Sequence, residues 1–332
     1  FYSGLSLSIA GVGMLKPNIS TMVGGLYKPG DIRRDKGFTI FYIGINLGAF
    51  LSSLIVGYVG EVMGWHYGFG LAGIGMTLGL IQYVLGQKYL KDVGNYIGAS
   101  KDEEEIAALN RPLTKIEKDR VVVLFLSFFL VIVFWGAFEQ AGGLMNIYAM
   151  ENTNRMLFGL EVPASWFQSL NAMFIIFLGT AVAAYWAKRK LRGKLSTSLF
   201  KMIIGLIIMG TGFFFMSAAS TEFETTGSSA MYWLVLAYLF HTVGELCISP
   251  VALSYITKLA PLKYASLMMG VYFAMTGFGN KLAGLLGESA STYGEFTIFT
   301  GIALFCITFG LIVLLIRKKL EVLTHGIEDT EH

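Results

Sequence analysis

AGVGMLKPNIS, residues 10–20, sets Lys16 in the middle of a long apolar run, and LFHTVGELCISP, residues 239–250, does the same with Glu245. On insertion scales a charge at the centre of a membrane helix costs about 2.5–3.5 kcal/mol, so it faces a protein interior or a wet cavity and finds a partner there. Such residues mark function. The chain therefore reads as an all-α, polytopic membrane protein with a polar site at mid-depth.

Composition points the same way. Hydrophobic residues make up 55% of the 332 and charged residues 14%, where a soluble domain carries about 25% charged residues. Forty glycines against six prolines suit closely packed membrane helices better than loops. The net charge of +3 gives no reason to expect a nucleic-acid partner. Cys247 and Cys306 both lie inside apolar runs and read as packing residues, not as a disulfide or a metal site. The start, FYSGLSLSIAG, has neither an initiator Met nor a basic n-region, so no signal peptide is expected.

A span needs about 20 mostly apolar residues, and nine stretches qualify: 1–26, 38–61, 67–88, 121–148, 166–187, 199–218, 230–257, 266–288 and 296–316. Basic residues cluster after the first, third, fifth, seventh and ninth of them, whereas the alternate loops contain only Arg155. That asymmetry places the basic loops and the C-terminus in the cytoplasm, in a multi-pass protein of the plasma membrane, read as a bacterial inner membrane. Nine spans put Phe1 on the outer side at the start of a helix, so an odd number of helices is expected upstream. The polar tract at 89–120 divides three helices from six. The expected organisation is 1–88 as the second half of an N-terminal bundle, 89–120 as a cytoplasmic linker, 121–316 as a six-helix bundle and 317–332 as a cytoplasmic tail. With three helices upstream, the spans carrying Lys16 and Glu245 are each the fourth of their bundle. Each charge then lies about 15 residues, roughly 22 Å, from the outer end. Secondary transporters place substrate sites at this depth, between repeats.

Six segments carry a resemblance: GVGMLKPNISTMVGGLY, RRDKGFTIFYIGINLGAF, FWGAFEQAGGLMNIYA, ASWFQSLNAMF, GELCISPVALSYITKLAP and SLMMGVYFAMTGFGN. In this order they resemble the proton-dependent oligopeptide transporters, a branch of the major facilitator superfamily. The resemblance implies the major facilitator fold, with the nine spans as helices 4–12 of a twelve-helix plan. It also implies proton-coupled symport of di- and tripeptides across the plasma membrane by alternating access. The family's first helix, with two Glu and one Arg that couple protons, is absent from the chain.

By this resemblance Lys16 meets the peptide carboxylate or pairs with Glu245, and Glu245 receives the peptide amino terminus. The residue chemistry agrees, since an ammonium with three donors can exchange an internal carboxylate for that of a ligand. A structural Lys16–Glu245 ion pair is the plainer reading of the same residues. Glu139, in FWGAFEQ, matches a gate and proton-coupling position whose arginine partner is on the absent helix. Asn46 and Asn171 match pocket asparagines, the plainer reading being glue between helices. Tyr42 stands one turn from Asn46 and can share its face. Trp135 and Ser249 fall at pocket positions, and Tyr272 stands where the family often has Trp. Ala172 replaces a frequent Pro, and the 89–120 tract lacks the two extra helices of many bacterial members. His241, one turn before Glu245, is expected to be hydrogen-bonded, sharing a proton with Glu245 being the sharper alternative. Lys281 is expected to snorkel. Arg33, Arg34 and Asp35 resemble a cytoplasmic loop motif that supports the inner gate.

The nearest rival is a proton-coupled major facilitator transporter of another small solute or drug, and the mid-depth lysine argues against a cationic drug. No enzyme is expected, because HExxH, GxSxG and paired Asp arrangements are all missing. No cofactor is implied; the partners are peptide, protons and the bilayer.

Overall fold

The computed structural model describes residues 2–26, 33–90, 111–261 and 264–327; within these, residues 16–18, 20–21, 24–25, 33–39, 257 and 265–266 are described by their backbone alone. Among the described residues eleven α-helical segments form nine long helices. In chain order they are α1 (Tyr2–Gly25), α2 (Arg33–Leu51), α3 (Gly57–Met63), α4 (Trp65–Leu90), α5 (Lys115–Phe138), α6 (Leu144–Glu151), α7 (Ala164–Leu191), α8 (Ser198–Thr226), α9 (Met231–Leu259), α10 (Ala265–Tyr293) and α11 (Glu295–Val322). A π-turn at Ser52–Val56 joins α2 to α3 in one span, and a 3-10 turn at Glu139–Ala141 follows α5. Among the described residues, seven helices are long and apolar enough to cross a membrane. The span Trp65–Leu90 has only 6% of its apolar stretch buried inside the chain. Helices of this length and composition suit lipid as the surrounding solvent, because a helix satisfies its own backbone there.

The chain divides into two compact units, Phe1–Asp102 and Glu103–His332. In the first, α1, α2–α3 and α4 are exposed along most of their length, and Asn46 is one of the few buried polar residues. The sequence-derived linker at 89–120 lies mostly outside the described residues, which resume at Arg111. A capping box opens the second unit: the Glu117 amide donates to Thr114 Oγ1 at 3.2 Å and the Thr114 amide to Glu117 Oε2 at 2.8 Å. These two bonds satisfy donors that no helical carbonyl can reach.

The core of the second unit centres on α8, whose Met202, Ile203, Leu206, Met209 and Phe213 are buried against α9 and α11. Small residues set how closely these helices approach. A Cβ on Gly205 would lie 2.6 Å from the Gly244 carbonyl oxygen, and one on Gly244 would lie 2.7 Å from that of Gly205. Both positions therefore require glycine, and α8 and α9 pack backbone on backbone. At one end of the unit, Thr153–Asn154 (β1) pairs in parallel with Ser229–Ala230 (β4). There Met156–Leu157 (β2) and Leu160–Glu161 (β3) form a hairpin, closed by the Arg155–Glu161 ion pair at 2.7 Å.

Candidate functional site

Glu245 stands in α9, one turn before Pro250, and lies half-buried. The Asn171 amide, on α7, donates to Glu245 Oε2 at 2.7 Å and lies 3.2 Å from Thr242 Oγ1. The Thr242 hydroxyl donates in turn to the Tyr238 carbonyl at 2.7 Å. Thr242, Glu245 and Ser249 follow the i, i+3, i+7 spacing and so share one stripe of α9. Ser249 Oγ is buried and has no partner among the described residues. One stripe thus offers a carboxylate held by a single amide, together with a hydroxyl whose bonding capacity is unused.

The neighbouring stripe packs. His241 faces α8: a Cβ on Gly212 would lie 2.7 Å from its ring, and the Phe213 ring centroid is 4.3 Å away. Neither imidazole nitrogen has a hydrogen-bond partner among the described residues. The expected hydrogen-bonded histidine is therefore not what the fold builds. Its position, about 100° from that of Thr242, turns the ring into the α8 contact.

Glu139 is within electrostatic range of Glu245. The expected single span 121–148 is interrupted here, since α5 ends at Phe138 and Glu139 caps it at the start of the 3-10 turn. Gly142 and Gly143 follow, and α6 begins at Leu144. Neighbouring helices hold the turn: Gln140 Nε2 donates to the Ala283 carbonyl at 3.0 Å, and the Tyr238 hydroxyl donates to the Ala141 carbonyl at 3.0 Å. The Tyr238 bond satisfies a carbonyl that the broken helix would otherwise leave orphaned, and the Gln140 bond ties the turn to α10. Trp135, half-buried one turn earlier, meets Phe134 and Phe138 edge to face. Gly279 lets α10 approach it, because a Cβ there would lie 2.6 Å from Trp135 Cβ.

In the first unit Asn46 is buried and donates from Nδ2 to the Tyr42 carbonyl at 2.9 Å, which places both residues on one face of α2. Lys16 is in α1, but its side chain lies outside the described residues, as do those of Arg33, Arg34 and Asp35. Sequence reasoning did not single out Thr242, Gln140 or Tyr238. The i, i+3 spacing from Glu245 was available for Thr242, whereas Gln140 and Tyr238 become visible only once α5 is seen to break.

The family model described as "PTR2: POT family" matches residues 1–101 and 102–298. The chain belongs to the POT family. Among its relatives, the peptide transporter YePEPT of Yersinia enterocolitica is 33% identical, over 86% of this chain and 68% of that protein. A di-/tripeptide transporter of Lactococcus lactis subsp. cremoris is 31% identical, over 96% of this chain and 75% of its own length. A crystal structure of a peptide transporter POT in complex with sulfate is similar at a TM-score of 0.88 and 32% identity, over 97% of this chain and 75% of that one. This POT member therefore has the major facilitator fold and is a multi-pass membrane protein, and its relatives are transporters.

Proposed function

We propose that this POT member carries di- and tripeptides together with protons across the plasma membrane by alternating access. The carrying observation is the stripe on α9: Glu245, held by Asn171 beside Thr242 and Ser249, inside a membrane bundle of a peptide-transporter family. In this proposal Glu245 receives the peptide amino group and Lys16 the carboxylate. A zwitterion needs one fixed anion and one fixed cation, and these are the mid-depth charges of the sequence. Asn46, Asn171 and Ser249 bond the peptide backbone, while Trp135, Tyr272 and Tyr42 shape the side-chain space. Glu139, sharing the field of Glu245, carries the proton and gates the outer side. The C-terminus is cytoplasmic and the membrane a bacterial inner membrane; basic last turns of α7 and α11 support that orientation.

A second reading, transport of another small zwitterion, is favoured by a POT transporter solved with 5-aminolevulinic acid at 28% identity and TM-score 0.86. An amine and a carboxylate on one small molecule present the same two charges. The test is uptake of labelled dialanine by proteoliposomes holding the full-length gene product, with and without a proton gradient. Dialanine should accumulate only with the gradient. Glu245→Gln should weaken binding by about tenfold or more, the loss of a charge-assisted bond worth about 1.5–3 kcal/mol. Accumulation of 5-aminolevulinic acid or a lipophilic cation in place of dialanine would overturn the peptide reading.

A further inference from the structure

An apolar groove of about 130 Å³ runs along the second unit between α5 and α11, with the start of α8 as part of its floor. Leu130, Leu199 and Val313 are buried beneath it, and Phe129, Ile312 and Ile316 stand exposed along its walls. Ser127 also lines it, but its hydroxyl donates to the Val123 carbonyl of its own helix at 2.8 Å. The groove therefore offers a ligand no polar partner along its length. Its volume is close to the roughly 150 Å³ of an apolar cavity that holds one benzene, enough for a few methylenes of a chain.

One end of the groove is cationic. Arg120, seven residues before Ser127, lies on the same α5 stripe and reaches across to the turn that follows α11, where its Nε donates to the Thr324 carbonyl at 3.1 Å. It is half-buried, and its two Nη groups have no acceptor among the described residues. The acids nearby are engaged elsewhere: Glu117 with Arg111 at 2.7 Å, Asp119 with His325 at 2.7 Å and Glu321 with Arg317 at 3.4 Å. Lys118, Lys318 and Lys319 lie exposed on the same helix ends. Lys319, three residues after Ile316, extends the groove's own stripe on α11.

We infer that this groove seats an anionic phospholipid, with an acyl chain against α5 and α11 and the headgroup phosphate on the free Nη groups of Arg120. A guanidinium fork matches phosphate oxygens two at a time, and the apolar trough next to it excludes a polar solute. The site lies within one unit and is independent of the peptide reading.

The test is native mass spectrometry of the full-length protein in detergent with equal amounts of phosphatidylglycerol and phosphatidylcholine of matched chains. Phosphatidylglycerol should be retained about fivefold more, the factor that one basic residue contributes at an anionic surface. Arg120→Gln should bring the ratio to about one. Arg120→Lys keeps the charge without the fork, so it should keep a preference between that of the unaltered protein and that of Arg120→Gln, a graded loss that separates recognition from misfolding. Val313→Phe, filling the groove, should lower retention of phosphatidylglycerol. Equal retention by the unaltered protein would overturn the inference, as would an undiminished preference in Arg120→Gln. Displacement of phosphatidylglycerol by millimolar inorganic phosphate with Val313→Phe unaffected would assign a free-anion site instead and overturn it too.

Discussion

Replacing Asn171 by Leu tests whether α7 holds the Glu245 carboxylate. The change removes an N–H···O bond of 2.7 Å to a carboxylate and a weaker approach of 3.2 Å to Thr242. Bonds to charged groups contribute about 1.5–3 kcal/mol. Asn171 is half-buried, so water recovers part of the loss and about 1.5–2 kcal/mol is expected. The second unit, Glu103–His332, is of a size for which each kcal/mol moves the midpoint by about 2–4 °C, so thermal unfolding in detergent should shift down by about 3–8 °C. A double-mutant cycle with Glu245→Leu isolates the pair. Asn171→Leu leaves an underbonded carboxylate and Glu245→Leu an underbonded amide, whereas the double variant leaves neither. The double variant should therefore cost less than the sum of the singles by about 1.5 kcal/mol or more. Additivity within about 0.5 kcal/mol would mean that the two side chains do not couple, and would refute the reasoning.

Gly205→Ala should destabilise the second unit by about 1–3 kcal/mol, because its Cβ would meet the Gly244 carbonyl at 2.6 Å and Ile248 at 2.7 Å. Gly142→Ala, with nothing within 4 Å of its Cβ, is the control that should melt unchanged. Tyr238→Phe removes the donor to the Ala141 carbonyl, at a cost of about 1 kcal/mol. Hydrogen exchange at residues 139–143 should rise while the rest of α9 stays protected.

The spans were legible because lipid imposes a length and a composition on every helix that crosses it. Their interruptions were not. The break after Phe138 is fixed by bonds from Gln140 to α10 and from Tyr238 on α9, contacts that no local pattern announces. The π-turn at Ser52–Val56, just past Asn46, was not expected from the sequence either. At the site, the rarity of a charge in an apolar run singled out Glu245, and helical spacing would have added Thr242. The partnership of Glu245 with Asn171 joins positions 74 residues apart, a pairing that composition alone does not reveal; the family motifs flagged the two residues separately. His241 was misread because sequence proximity stood in for direction: a residue four positions from Glu245 can still turn toward a different helix.

That divergence explains how α9 carries a carboxylate through a membrane bundle with the Asn171 amide as its partner. Its two adjacent stripes do opposite work. Gly244 brings α9 onto Gly205 of α8 at backbone distance, and His241 fills the space left by Gly212 in the same seam. This seam fixes the rotation of the helix about its axis, and with it the direction in which Thr242, Glu245 and Ser249 point. A rotation of one residue would carry Glu245 about 100° toward the apolar packing of α8, where no amide waits to meet it. The glycines on the packing side therefore set the chemistry on the other. For that reason Gly205→Ala should disturb binding at Glu245 even where the protein still folds, whereas a lipid-facing change of equal cost in stability, such as one at Leu304 on the exposed side of α11, should leave it intact.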